Sequence, residues 1–231
     1  VRLYPNAFTH LMLGIAAYET GGYSKAVDAL QTAYELAAGE GAVRIMLESR
    51  LFLGNSYCNQ QDLDNMERHY RIAHRLAHAL RDQRAIHAIG YNIASAWIEA
   101  GRYEDSYTWF AAQEAPSLMS LHKLAICCEK TGRHAEGIAA LDRAQQMDTD
   151  DLDPELAKQL CALVRFRLEH PDYLEMAEYG TLLMHCFNRC RSELSSGYAT
   201  FHLPWVLEWF KATRQYKKAC ERLEEFPVKT R

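Results

Sequence analysis

The stretch that decides the fold is Leu53-Gly54-Asn55-Ser56-Tyr57, followed by Gln61-Asp62-Leu63-Asp64-Asn65-Met66 and then by Tyr70 and Ala73. An apolar helical run ends at a turn, and a second helical run starts after it. In the second run Met66, Tyr70 and Ala73 step by four and three, which places them on one face of a helix. The small Gly54 leaves room for that second helix to press against the first.

The same phrase recurs along the chain. Gly21-Gly22-Tyr23-Ser24-Lys25-Ala26, Gly101-Arg102-Tyr103-Glu104-Asp105-Ser106 and Gly132-Arg133-His134-Ala135-Glu136-Gly137 occupy the same place in their own units. Upstream of each turn stand Leu13-Gly14, Ile93-Ala94 and Leu124-Ala125. Downstream stand Ala26, Leu30 and Ala33; Ser106, Phe110 and Gln113; and Gly137, Leu141 and Ala144. A turn glycine supplies the left-handed residue that ends a helix at no Cβ cost. Two weaker copies begin at Pro171-Asp172-Tyr173 and Arg214-Gln215-Tyr216. Each unit reads as two helices joined by a tight turn, and one such pair cannot bury its apolar face alone.

These residues resemble tetratricopeptide (TPR) repeats, in a long-helix subclass with a spacing near 40 residues, like the repeat domain of bacterial helix-turn-helix/TPR regulators. The resemblance implies an all-α, right-handed superhelical solenoid of about six helix hairpins. Residues 1–147 would hold four clear pairs. Residues 148–231 would add two divergent pairs continuous with the first four, in a single solenoid domain. Pro116, Pro154 and Pro171 fall between expected helices, and Asp153-Pro154-Glu155 reads as N-cap, first position and first-turn acid. Asp148-Thr149-Asp150-Asp151 reads as an acidic linker that lacks the glycine of a Ca²⁺ loop. Pro204 suggests a helix start near Leu203, and residues 189–198 suggest a longer connection.

Composition narrows the function. The 231 residues are 48% hydrophobic with a formal net charge of −4, and no apolar run reaches the length of a membrane span. A mildly acidic chain without a basic block is a poor stand-alone nucleic-acid binder, so no direct nucleic-acid contact and no membrane partner are expected. Seven cysteines, an odd count with Cys127 and Cys128 adjacent, read as reduced thiols of a cytoplasmic protein. The chain starts at Val1 without an apolar leader, which reads as a fragment or processed product.

No phosphate-binding glycine loop and no His-Glu-x-x-His occurs. His74 and His78 share a helix face but sit among Arg71, Arg75 and Arg81, which would repel a cation. Cys186 and Cys190 share a face with His185 beside them and read as interface thiols. No metal, cofactor or catalytic set is expected, and no enzyme.

What remains is recognition of a protein or peptide in a concave groove. The resemblance implies that first helices line this groove, through positions not spent on the Leu-Gly-Tyr face. These are Phe52, Asn55 and Asn59 in the second pair, Tyr91, Asn92 and Glu99 in the third, and Lys123 in the fourth. Amides offer donors and an acceptor to a peptide backbone, and Lys123 a charge. Leu51 and Met119 stand where related repeats carry clamp residues for a terminal carboxylate, so the pattern departs from that clamp. In the last pair Phe201, Trp205 and Trp209 step by four. Read functionally they anchor a partner or a second subunit, which would make a homodimer. Read structurally they are the core of a terminal pair, the preferred reading. Two further readings follow from the resemblance: the peptide-sensing or oligomerisation part of a helix-turn-helix transcription regulator, and the repeat domain of a peptide-regulated phosphatase.

Overall fold

The computed structural model describes residues 6–147, 153–193 and 196–224. Val1–Pro5 and the acidic stretch Asp148–Asp151 lie outside them. Among the described residues the chain is all helical: α1 (Ala7–Glu19), α2 (Tyr23–Glu40), α3 (Val43–Asn59), α4 (Leu63–Ala79), α5 (Gln83–Glu99), α6 (Tyr103–Ala111), α7 (Leu118–Thr131), α8 (His134–Gln145), α9 (Pro154–Glu169), α10 (Ala177–Glu193), α11 (Ser196–Ala212) and α12 (Tyr216–Glu224). A single 3₁₀ turn, Tyr173–Glu175, separates α9 from α10. The helices gather into two compact units, the first ending at Ala96 and the second beginning at Trp97, inside α5.

The first unit is built by close approach of paired helices. A Cβ on Gly14 would lie 2.5 Å from Leu30 Cγ, and one on Gly54 would lie 2.5 Å from Tyr70 Cδ1. Those distances are inside van der Waals contact, so only glycine lets α2 and α4 seat against α1 and α3. Leu11, Ala26, Leu30, Ala33 and Leu53 form one core cluster. Leu47, Met66, Tyr70, Ala73, Ala77, Ile89 and Ala96 form the next, joining α3, α4 and α5. Leu13 holds in α1 the place that Leu53 holds in α3. Leu53 is fully buried, whereas Leu13 is 59% exposed, because no helix among the described residues precedes α1 to cover that face.

Turn chemistry differs from pair to pair. Gly21, Gly41, Gly101 and Gly132 take left-handed φ between 70° and 78°. The same conformation is held by Gln61, Arg81 and Arg214, at φ 61°, 53° and 59°. A side chain there costs free energy that glycine would spare. Helix starts are capped by Asn6, Asp62, Ser117 and Asp153, whose side chains accept from the backbone three residues on. Asp153 caps α9 with Pro154 in the first helical position, as the sequence suggests.

In the second unit α7 packs against α6, α8 and α9, and α9 against α10. Pro204 does not start a helix: α11 begins at Ser196 and runs through it. An interior proline removes one backbone hydrogen bond, but buried His202, Trp205, Val206 and Phe210 hold both sides of the interruption in the core. The expected long connection over 189–198 is likewise helical through Glu193 and again from Ser196. Gly180 takes the Trp209 ring so closely that a Cβ would overlap it, so the aromatic row of the last pair faces inward.

Candidate functional site

On α3 the core takes Leu47, Ser49, Leu53, Gly54 and Ser56. Phe52, Asn55 and Asn59 are left half-buried on the remaining surface. The Tyr70 hydroxyl donates to Asn55 Oδ1 at 2.5 Å. Asn59 Nδ2 donates to the Asn55 carbonyl at 3.0 Å and to the Tyr18 hydroxyl at 3.4 Å. Phe52 meets the Tyr18 ring edge-on with centroids 5.5 Å apart, and Tyr18 leans on Tyr23 at 5.8 Å. Burial pushes the Tyr18 phenol up, with the Asn59 hydrogen bond opposing. The result is a connected polar and aromatic strip across α1, α2 and α3. Asn55 thus has a structural duty as well as an open amide nitrogen.

Tyr91 and Asn92 are half-buried on α5, in the same unit. Also on α3, Arg50 donates to His69 Nδ1 at 2.9 Å and stacks 3.6 Å over the Tyr34 ring. Tyr57 stacks on the His69 imidazole at 5.2 Å. Desolvation, followed by the charges of Arg50 and Arg68, pulls His69 down to about 4. A neutral imidazole is what accepts the Arg50 hydrogen bond.

The second unit holds the other two candidates. Glu99 is exposed at the end of α5. Lys123 is only 8% exposed, with Nζ 3.3 Å from the centre of the Phe201 ring. Burial lowers its ammonium to about 8, and the Glu99 carboxylate opposes that shift. Its charge is therefore held inside the unit by an aromatic face. Beside it His122 and His202, each 1% exposed, lie with rings 6.5 Å apart. Desolvation holds the His122 imidazole well below its ordinary range, with Lys123 and His202 adding to the effect.

A second buried polar centre escaped the sequence reading. The Arg167 side chain is fully buried and donates to Glu129 Oε1 through Nε at 3.0 Å and Nη2 at 2.7 Å. Its Nη1 donates to the Tyr179 hydroxyl at 2.8 Å. The guanidinium also lies 4.6 Å from the Tyr173 ring and 4.4 Å from Trp205. In sequence, Arg167 sits between Phe166 and Leu168, with Arg165 and Glu169 on either side, and nothing local marks it as buried.

All seven cysteines are free thiols. Burial pushes Cys127 and Cys161 up to about 11 and Cys128 and Cys186 up to about 12. Among the described residues no helix is long and apolar enough to cross a membrane.

No family model and no curated protein matches the sequence. Among solved structures, the chain is similar to the kinesin light chain nearly identical TPR-like repeats of Podosopora anserina. The TM-score is 0.57 at 15% identity, over 81% of this chain and 96% of that one. At that identity the likeness is one of fold, and it agrees with the paired helices and glycine approaches described above: the chain folds as TPR-like helical repeats.

Proposed function

We propose that the chain is a non-enzymatic scaffold that binds a peptide or protein segment in a groove lined by the first helices of its pairs. The observation that carries this reading is the surface of the first unit. The core consumes one side of α3 and leaves Asn55 and Asn59 half-buried on the other, with Phe52 partly packed against the Leu11–Leu30 cluster, while α5 adds Tyr91 and Asn92. Asn55 spends its oxygen on Tyr70 and keeps its amide nitrogen, and Asn59 keeps its oxygen. The Asn92 side chain makes no hydrogen bond within the chain among the described residues. Amide donors and acceptors beside flat rings are what an extended or helical peptide backbone uses. Lys123, in the second unit, is committed to packing against Phe201.

The test pairs Asn55→Asp with Asn92→Ala. Asn55→Asp keeps the acceptor for Tyr70 and removes the donor offered to a ligand, so the fold is retained. Two lost hydrogen bonds at about 1 kcal/mol each weaken binding by roughly tenfold or more. Pull-downs from the source organism with wild-type and variant protein should show reduced recovery of the same partner. Equal recovery by both proteins refutes the role of this surface.

A further inference from the structure

A different surface of the first unit carries an interaction that the peptide-binding reading does not use. On α4 the buried residues are Met66, His69, Tyr70, Ala73 and Ala77. Arg68, Arg71, Arg75 and His78 step by three, four and three along the opposite side, and all four are exposed. Spacing of that kind makes a single stripe. From Arg68 to Arg75 it runs about 10 Å along the helix axis at about 1.5 Å per residue. Arg81 and Arg84 continue the run through the turn into the first turn of α5, and both are exposed. His74 packs edge-on against His78, with centroids 4.5 Å apart.

Five arginines thus stand against three carboxylates between Asp64 and His87, in a chain whose formal charge is −4. Two of those carboxylates have partners: Asp82 pairs with Arg44, and Glu67 reaches Arg71 at 3.4 Å. Among the described residues Arg68, Arg75, Arg81 and Arg84 make no ion pair within the chain. Elsewhere Arg44, Arg102, Arg133, Arg165, Arg167 and Arg189 each hold a carboxylate.

The stripe works against its own helix. Arg68 and Arg71, and Arg71 and Arg75, are like charges at three- and four-residue spacing, which opposes helix formation. Arg84 brings a cation to a helix N-terminus, where the backbone dipole disfavours it. Arg81 holds the left-handed turn position that glycine would occupy without cost. Glu67 offsets part of this at Arg71, and the Asp82 cap does so beside Arg84. Arg68, Arg75 and Arg81 have no carboxylate partner within the chain among the described residues, and an external anion would supply one.

We propose that this stripe is a docking surface for a short acidic segment of a partner protein, with carboxylates received by Arg68, Arg71 and Arg75. Guanidinium groups take carboxylates through paired N–H donors. The length of the stripe matches about three residues of extended chain or two turns of helix. A long polyanion is disfavoured, because the stripe is short and the chain as a whole repels negative charge.

The test measures fluorescence anisotropy of a labelled octaglutamate peptide titrated with the full chain at low salt. The wild type is expected to bind, and Arg68→Gln/Arg71→Gln/Arg75→Gln to bind at least tenfold more weakly with an unchanged helical circular dichroism spectrum. The control Arg143→Gln, an exposed arginine outside the stripe, should bind as the wild type does. Absence of wild-type binding, or equal binding by the triple variant, overturns the proposal. Tighter stripe-dependent binding of an oligonucleotide or an anionic lipid vesicle of matched charge overturns the assignment to an acidic peptide.

Discussion

Replacing Gly54 by Ala adds one methyl group at the tightest helix approach of the first unit. That Cβ would stand 2.5 Å from both Cδ1 and Cε1 of Tyr70, so the ring must retreat by about 1 Å to restore ordinary contact. It has nowhere to go: Tyr70 is 2% exposed, sits in the α3–α5 cluster, and is tethered through its hydroxyl to Asn55. Overpacking of this kind costs about 1–3 kcal/mol, and a rigid ring places it at the upper end. Alanine returns up to about 1 kcal/mol of helix propensity, which leaves a net loss of about 2 kcal/mol. Gly39→Ala is the matched control, because a Cβ at Gly39 meets nothing within 4 Å. It should stabilise by up to about 1 kcal/mol. Thermal melts followed by far-ultraviolet circular dichroism should separate the two variants by several degrees, at about 2–4 °C per kcal/mol for a chain of this size. On a Tyr70→Leu background the cost of Gly54→Ala should largely vanish. A Gly54→Ala protein as stable as Gly39→Ala would refute the close-approach account of the pairing.

Two other outcomes follow from the buried groups. His69 titrates near 4 in the fold against 6.5 in an unfolded chain, so its neutral form is favoured by folding. That contribution is complete above pH 6.5 and is lost as pH falls toward 4; His69→Gln, which keeps an acceptor for Arg50, should flatten the acid limb of a stability–pH curve, and an unchanged limb counts against the assignment. Cys220 is exposed, whereas Cys127, Cys128, Cys161 and Cys186 are buried with raised pKa values; native alkylation at pH 8 should therefore label Cys220 first and those four slowly, and their rapid labelling in intact mass spectra would contradict the packing.

Helical pairing is legible in the sequence because it depends on size at fixed spacing: Gly14 with Leu30, and Gly54 with Tyr70, are local facts of the repeat. Burial around the whole circumference of a helix is not. The face left over on α7, which carries Lys123, reads as open on an amphipathic helix. Yet α7 is surrounded by α6, α8 and α9, and every residue from Leu118 to Cys128 except Leu124 is buried. Periodicity assumes one wet side, and a helix enclosed by three neighbours has none. Pro204 misleads for a related reason: local chain stiffness marks it as a helix start, while the core holding Trp205 and Phe210 keeps the helix running. The turns at Gln61 and Arg81 lack the glycine that would announce them, so only alignment with neighbouring units reveals Gln61. The double duty of Asn55 depends on Tyr70, fifteen residues on, and needs the pair assembled.

The Arg167 centre bears on how the second unit comes apart. One guanidinium from α9 holds a carboxylate on α7, a phenol on α10, a ring in the 3₁₀ turn and an indole on α11. Peeling away any one of these elements alone would leave a cation in a dry interior short of its partners, which is far dearer than losing an exposed contact. Repeat arrays ordinarily fray one unit at a time, because each contacts only its neighbours. Here a single shared charge discourages partial opening, so α7, α9, α10 and α11 are expected to exchange their amide hydrogens as one block.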